Sequence, residues 1–146
     1  MLGREQIQAL VPHAGTMCLW DEVRAWDAQR IVLAAGNHCD LNHPLRRDGQ
    51  LAAVHLCEYG AQAMAVHGGL LAQERGRPPR AGLLVSLRDV RLRVARIDDL
   101  AGELLGHAEP LVVSEASQQY AFRIFHRDRL LAEGRAAVIL QAEIPQ

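Results

Sequence analysis

Aromatic side chains make up only 4% of this 146-residue chain, two each of Trp, Tyr and Phe. That scarcity argues against a surface that reads bases or sugars by stacking. Cysteine is sparse too. Cys18, Cys39 and Cys57 are odd in number and form no C-x-x-C pair, which excludes a disulfide framework and fits a reducing compartment. No stretch of about 18 uninterrupted apolar residues occurs, so no membrane-spanning helix is expected. The opening MLGREQIQAL mixes acidic and basic residues and lacks the apolar centre of a secretion signal. An excess of one charge is also missing. Acids and bases are interspersed with a net charge of −1, which suggests neither a nucleic-acid footprint nor an acidic tail. A cytoplasmic protein is the expectation.

What is present is ordinary for a globular protein: 49% hydrophobic and 23% charged residues, in a length suited to one domain over 1–146 with a real core. Residues 4–10 can make a helical turn ahead of Pro12. Residues 18–27 and 29–37 read as two extended segments joined near Asp27–Ala28, a hairpin candidate. Residues 38–50 are polar, contain Pro44 and Gly49, and read as loop. From Leu51 to about Ala72 the spacing turns helical, with Leu51, Val54, Glu58, Ala61, Ala65 and Gly68 recurring at three and four residues. Such a helix would be about 33 Å long. Its alanines and glycines leave no broad charged face, so other structure should wrap it. Gly76 and the Pro78–Pro79 pair end it. Residues 83–94, 102–116, 118–127 and 129–143 are β-like, the second of them weakly. Two strands, one long helix and three or four antiparallel strands predict an α+β fold, a curved sheet around a central helix.

The segment from His43 to Met64 carries the chemistry. His43 precedes the helix, and Glu58 is a lone carboxylate among apolar and small residues. Burying an acid in such company is costly unless it is paired or neutral. One imidazole and one carboxyl group are also sufficient for an acid/base reaction.

With these residues in hand, the chain resembles a known family. VPHAGTMCLWDEV (11–23) is similar to the PH-x-x-x-M-x-L-x-D-x-V opening of the β-hydroxyacyl-carrier dehydratases of type II fatty acid synthesis. Glu58 with Ala61–Gln62 resembles their E-x-x-A-Q helix segment. Pro44–Gly49 (PLR-x-x-G) and Glu58–His67 (EY-x-AQAMA-x-H) look most like the dehydratase-like subunits of aryl polyene pigment clusters. The resemblance spans nearly the whole chain and implies the hotdog fold, whose sheet wraps one helix. Two departures stand out. His43 lies fifteen residues before Glu58, one more than in the fatty-acid enzymes, and the proline- and glycine-rich loop of those enzymes is replaced by RRDGQLAA.

The resemblance implies dehydration of a 3-hydroxyacyl thioester carried on the phosphopantetheine of an acyl carrier protein, with no further cofactor. Removing the proton beside the carbonyl needs a base near neutral pKa, which an imidazole supplies. Expelling hydroxide needs a protonated acid, and an apolar setting pushes a carboxyl toward that role. Backbone N–H groups at a helix start suit the developing charge on the thioester oxygen. His43, Glu58 and the N–H groups near Ala52–Ala53 are the candidates. His38 is the rival base, and Gln62, one turn beyond Glu58, positions rather than reacts. By the resemblance, histidine and glutamate come from different subunits of a dimer, and His13 orders the N-terminal turn.

Plainer readings stand beside these. His55, three residues before Glu58, can neutralise it in a structural pair. His43 can be a loop residue capping a backbone group. His55, Glu58 and His67 hint at a metal site but lack another ligand at a sensible spacing. Arg91 and Arg93 read as a solvated strand face or a landing surface for an acidic carrier. Three functions therefore compete: a dehydratase acting as a homodimer, a non-catalytic or half-catalytic subunit of a heterodimeric dehydratase, and a thioesterase on the same fold.

Overall fold

The computed structural model describes residues 1–11, 18–78, 80 and 82–141. Its order is β1 (Leu2–Gly3), α1 (Arg4–Leu10), β2 (Glu22–Asp27), β3 (Arg30–Ala35), α2 (Leu56–Glu74), β4 (Gly82–Leu92), β5 (Leu104–Val113), β6 (Ser117–His126) and β7 (Arg129–Leu140). Single 3₁₀ turns lie at Asn37–Cys39 and Ala53–His55. The strands form one antiparallel sheet in the order β1-β2-β3-β5-β6-β7-β4. The long helix lies against it, with eleven of its nineteen residues buried. This is the hotdog architecture that the sequence predicts, with four long strands after the helix.

The helix starts later than its periodicity suggests. Leu51–Ala52 stays out of the helix because it pairs with the segment after β4: Ile97 N–H donates to the Leu51 carbonyl (3.0 Å) and Ala53 N–H to the Ala95 carbonyl (2.9 Å). The Asp98 carboxylate accepts the Leu51 N–H at 2.8 Å and is itself held by Arg96. Glu58 consequently stands in the first turn of α2 rather than two turns in.

Glycines set how closely helix and sheet approach. A Cβ on Gly60 of α2 would lie 2.5 Å from the Phe122 ring of β6, and one on Gly106 of β5 would lie 2.3 Å from the Trp20 ring. Trp20 has nowhere to go. It is fully buried, its Nε1–H donates to the Tyr59 carbonyl at 2.8 Å, and its ring meets the Tyr59 ring edge-on at 5.3 Å.

The sheet ends on a free edge. β4 is the last strand, and Leu83 (65% exposed), Val85 (49%) and Leu87 (40%) remain in solvent. Val112 and Val113 at the end of β5 and Ile139 near the end of β7 are exposed as well. Long apolar edges of this kind are normally covered in a working protein.

Replacing Gly106 with alanine drives a methyl group into a side chain that cannot yield. Urea unfolding should show a loss of about 1–3 kcal/mol. Gly36→Ala, with nothing within 4 Å of the added carbon, should change stability far less.

Candidate functional site

Successive residues on a helix point about 100° apart. Glu58 and Tyr59 therefore cannot share a face, and they serve two different surroundings. Glu58 is half-buried at one end of a cleft of about 1380 Å³ along α2. Its floor is the small-residue stripe Ala61, Ala65, Gly68 and Ala72, and Leu84, Val113, Val138 and Leu140 of the sheet form the opposite wall. Arg75, Arg77 and Arg80 stand at the far end. Gln62 braces the acid: its Oε1 accepts the buried Leu19 N–H at 2.9 Å, so its amide nitrogen faces Glu58 at 3.4 Å.

Tyr59 points into the core. Its hydroxyl joins a directed chain of hydrogen bonds whose polarity follows from its two ends. Leu45 N–H donates to His43 Nδ1 at 3.1 Å, so a neutral His43 carries its proton on Nε2. That Nε2–H donates to the Tyr59 oxygen at 2.9 Å, and the Tyr59 O–H donates to Asn37 Oδ1 at 2.8 Å. Asn37 Nδ2 then donates to the Leu19 carbonyl at 3.0 Å. His43 is 5% exposed, and burial, then the nearby His55 and Arg46, lower its pKa against the opposing pull of Asp40. Burial likewise raises the pKa of Tyr59.

His38, the rival base, is fully buried on the 3₁₀ turn after β3. Its Nε2–H donates to the Leu100 carbonyl at 2.6 Å, while Nδ1 is buried without a hydrogen-bond partner. Burial lowers its pKa. His67 spends both nitrogens in the core, donating from Nε2 to the Asp27 carbonyl and accepting the Tyr120 O–H on Nδ1. It has no lone pair left for a metal. No group of three or more His, Cys, Asp or Glu side chains is placed to hold an ion among the described residues. No hydrogen bond or ion pair joins His55 to Glu58 among them either.

Within one chain, then, the fold brings Glu58 and Gln62 together but neither His43 nor His38 to Glu58. The cleft is lined by no described histidine. Ala53 already donates its N–H to Ala95, and Ala52 is exposed beside it. His13 lies outside the described residues. Tyr59 and Asn37 are the partners that sequence reasoning missed. Tyr59 stands inside the E-Y-x-A-Q motif, whereas nothing in GNHCD marks Asn37.

Comparison with known structures agrees with the fold. The chain is similar to a protein in the structure of the dehydratase heterocomplex ApeI:P from Xenorhabdus doucetiae, with TM-score 0.85, 23% identity, and 94% of this chain and 91% of that one covered. It also resembles S. sahachiroi AziG (TM-score 0.64, 18% identity, 92% and 99% covered). A hypothetical thioesterase with coenzyme A from Streptococcus pneumoniae TIGR4 is similar as well (TM-score 0.61, 12% identity, 84% and 86% covered). These likenesses define the class: a hotdog protein. No curated protein sequence matches. The family follows from a sequence model, described as ApeP-like, ApeP dehydratase, which matches residues 5–146. The chain belongs to the ApeP-like dehydratase family.

The buried histidines carry a pH signature. His38, His43 and His67 all have folded pKa values below 6.5, so between those values and about 6.5 the unfolded chain binds protons that the folded one refuses. Their contribution is complete above pH about 6.5 and is lost as pH falls. Unfolding free energy should drop from pH 7 toward pH 5, by at most about 1.4 kcal/mol per pH unit for each histidine. Denaturant titration across that range measures the slope.

Proposed function

We propose that this chain is one subunit of a 3-hydroxyacyl-carrier-protein dehydratase that forms trans-2-enoyl thioesters in aryl polyene or fatty-acid-like assembly. The carrying observation is Glu58, a braced carboxyl group opening on a cleft long enough for an acyl chain. In this reading Glu58, protonated, gives its proton to the leaving hydroxyl, while an imidazole takes the proton from the carbon beside the thioester carbonyl. The double bond forms and water departs. His43 is the imidazole that the family motif suggests, and His38 is its rival. Substrate arrives on the phosphopantetheine of an acyl carrier protein, and no other cofactor enters. Cys18, Cys39 and Cys57 are free, which supports a cytoplasmic setting. No helix is long and apolar enough to cross a membrane among the described residues.

The second subunit is another hotdog chain. The similar Xenorhabdus protein comes from a heterocomplex, and the apolar free edge of β4 offers a surface that a second sheet can extend. Heterodimer rather than homodimer is the form proposed.

Two measurements test this. With a 3-hydroxyacyl carrier protein as substrate, the complex should produce enoyl absorbance, and Glu58→Gln should lower kcat by about 10²–10⁴. Release of free thiol without enoyl product would favour a thioesterase instead. Val85→Arg should separate the two chains in size-exclusion chromatography, leaving the fold intact by circular dichroism. A complex unaffected by that charge would place the interface elsewhere.

A further inference from the structure

The cleft has two ends, and the reaction proposed above uses only the one at Glu58. At the other, Arg75, Arg77 and Arg80 line it together. Arg75 and Arg77 flank Gly76, whose φ of 69° closes α2. Gly76 N–H donates to the Gln73 carbonyl at 3.0 Å and Arg77 N–H to the Ala72 carbonyl at 2.8 Å, a reversal that brings Arg77 back beside the last small residue of the cleft floor. Arg80 is held from the sheet side, its Nε–H and Nη1–H donating to the Gln141 and Glu115 carbonyls at 2.8 Å each. None of the three guanidinium groups has an ion-pair partner among the described residues. Glu115 is the one carboxylate that lines the cleft besides Glu58, so cations prevail at this end. Cations complement the dipole at a helix C-terminus, which accounts for Arg75 and Arg77 but not for Arg80.

The stretch between the two ends is mostly apolar. Ala65 and Gly68 face Leu84, Val138 and Leu140, and Gln118 is the polar side chain beside Gly68. Such a lining suits a hydrocarbon better than the amides of a pantetheine arm, which would lack partners there. An arm that filled the cleft would also leave the acyl chain no room, because Glu58 stands at the cleft's end. The acyl chain therefore lies in the cleft, and its far terminus meets the arginines. Glu58 and Arg75 are seventeen residues apart, an axial distance of about 26 Å. A staggered chain of about sixteen carbons covers that interval once the reach of an arginine side chain is counted. A methyl terminus would strip water from the guanidinium groups and return no hydrogen bond, whereas a carboxylate accepts paired N–H donors from them.

We propose that the arginine end of the cleft is a subsite for an anionic terminus. The substrate is then a long acyl chain with its carrier thioester at Glu58 and a carboxylate at the opposite end. This selectivity rests on the dehydratase reading above; the capture of an anion by the arginines does not.

The test uses the complex of this chain with its co-expressed hotdog partner. Its two carrier-bound probes are 3-hydroxyhexadecanoyl and the counterpart with a carboxylate in place of the terminal methyl group. The carboxylate probe should show a KM about tenfold lower at similar kcat. That ratio should fall to about one in the double variant Arg75→Gln, Arg77→Gln, and in the parent at about 0.5 M salt, where exposed charges are screened. Arg80 stays in place because it ties the turn after β5 to the end of β7. An eight-carbon pair, too short to reach the arginines, should show no preference for the carboxylate. Equal KM values at sixteen carbons overturn the proposal, as does a preference that survives loss of both arginines or appears equally at eight carbons. Calorimetry with this chain and free ligands needs no turnover. Dodecanoate should bind about tenfold more tightly than dodecan-1-ol, and the double variant should erase the difference. Equal binding of the acid and the alcohol overturns the subsite. A complex that forms no enoyl product from either probe defeats the dehydratase reading instead, and the calorimetry still decides whether the arginines hold an anion.

Discussion

Everything in this molecule hangs on the close seating of α2 against its sheet. Eleven of the nineteen helix residues are buried, so its rotation about its own axis is dictated by what those residues must touch. Gly60 admits the Phe122 ring, and Gly106 admits Trp20, which then reaches back to the Tyr59 carbonyl. With that rotation set, Tyr59 must point into the core and Glu58 must point along the cleft. A ring or a methyl group at either glycine would move the helix away. The acid and the phenol would then lose their separate environments together.

The polar groups of the interior follow one pattern: neutral histidines in directed hydrogen-bond chains. A buried charge is expensive, while a neutral imidazole with a donor on one side and an acceptor on the other costs little. His67 is satisfied by Tyr120 and Asp27, and His43 by Leu45 and Tyr59. His38 is the exception. Its bare Nδ1 is the one buried side-chain polar atom without a partner among the described residues, a cost of about 1–3 kcal/mol. Within the single chain these histidines tie elements of the core together. Glu58 differs in kind: among the described residues Gln62 is its one hydrogen-bond partner, and the carboxyl group lines the cleft.

An acid open on a cleft and an apolar strand edge open to solvent are two aspects of one incompleteness. Leu83, Val85 and Leu87 have no covering layer in the single chain, and the cleft wall at Leu84 belongs to the same strand. A neighbour that extends the sheet at β4 therefore arrives beside the cleft. In the proposed complex, assembly and chemistry are coupled through that strand. In that proposed complex the partner encloses the cleft, where exclusion of water strengthens each electrostatic contact.

Much of this was legible in the residues alone. The small-residue helix without a polar face, the alternating strands after Gly76, and the E-Y-x-A-Q segment carry the fold and mark Glu58 and Gln62, because periodicity and motif spacing are local properties. The later start of α2 was not legible, since Leu51–Ala52 is held out of the helix by pairing with Ala95 and Ile97, some forty residues away. Nor was the fate of His43. Its neighbours in sequence announce a loop histidine ahead of a helix, but its protonation is set by Leu45 on one side and by Tyr59 and Asn37 on the other. The sequence by itself determined which chemical groups are available and which element carries each. Only the tertiary structure decided which of them are free to react, because a lone pair is spent or spared by partners that folding alone brings near.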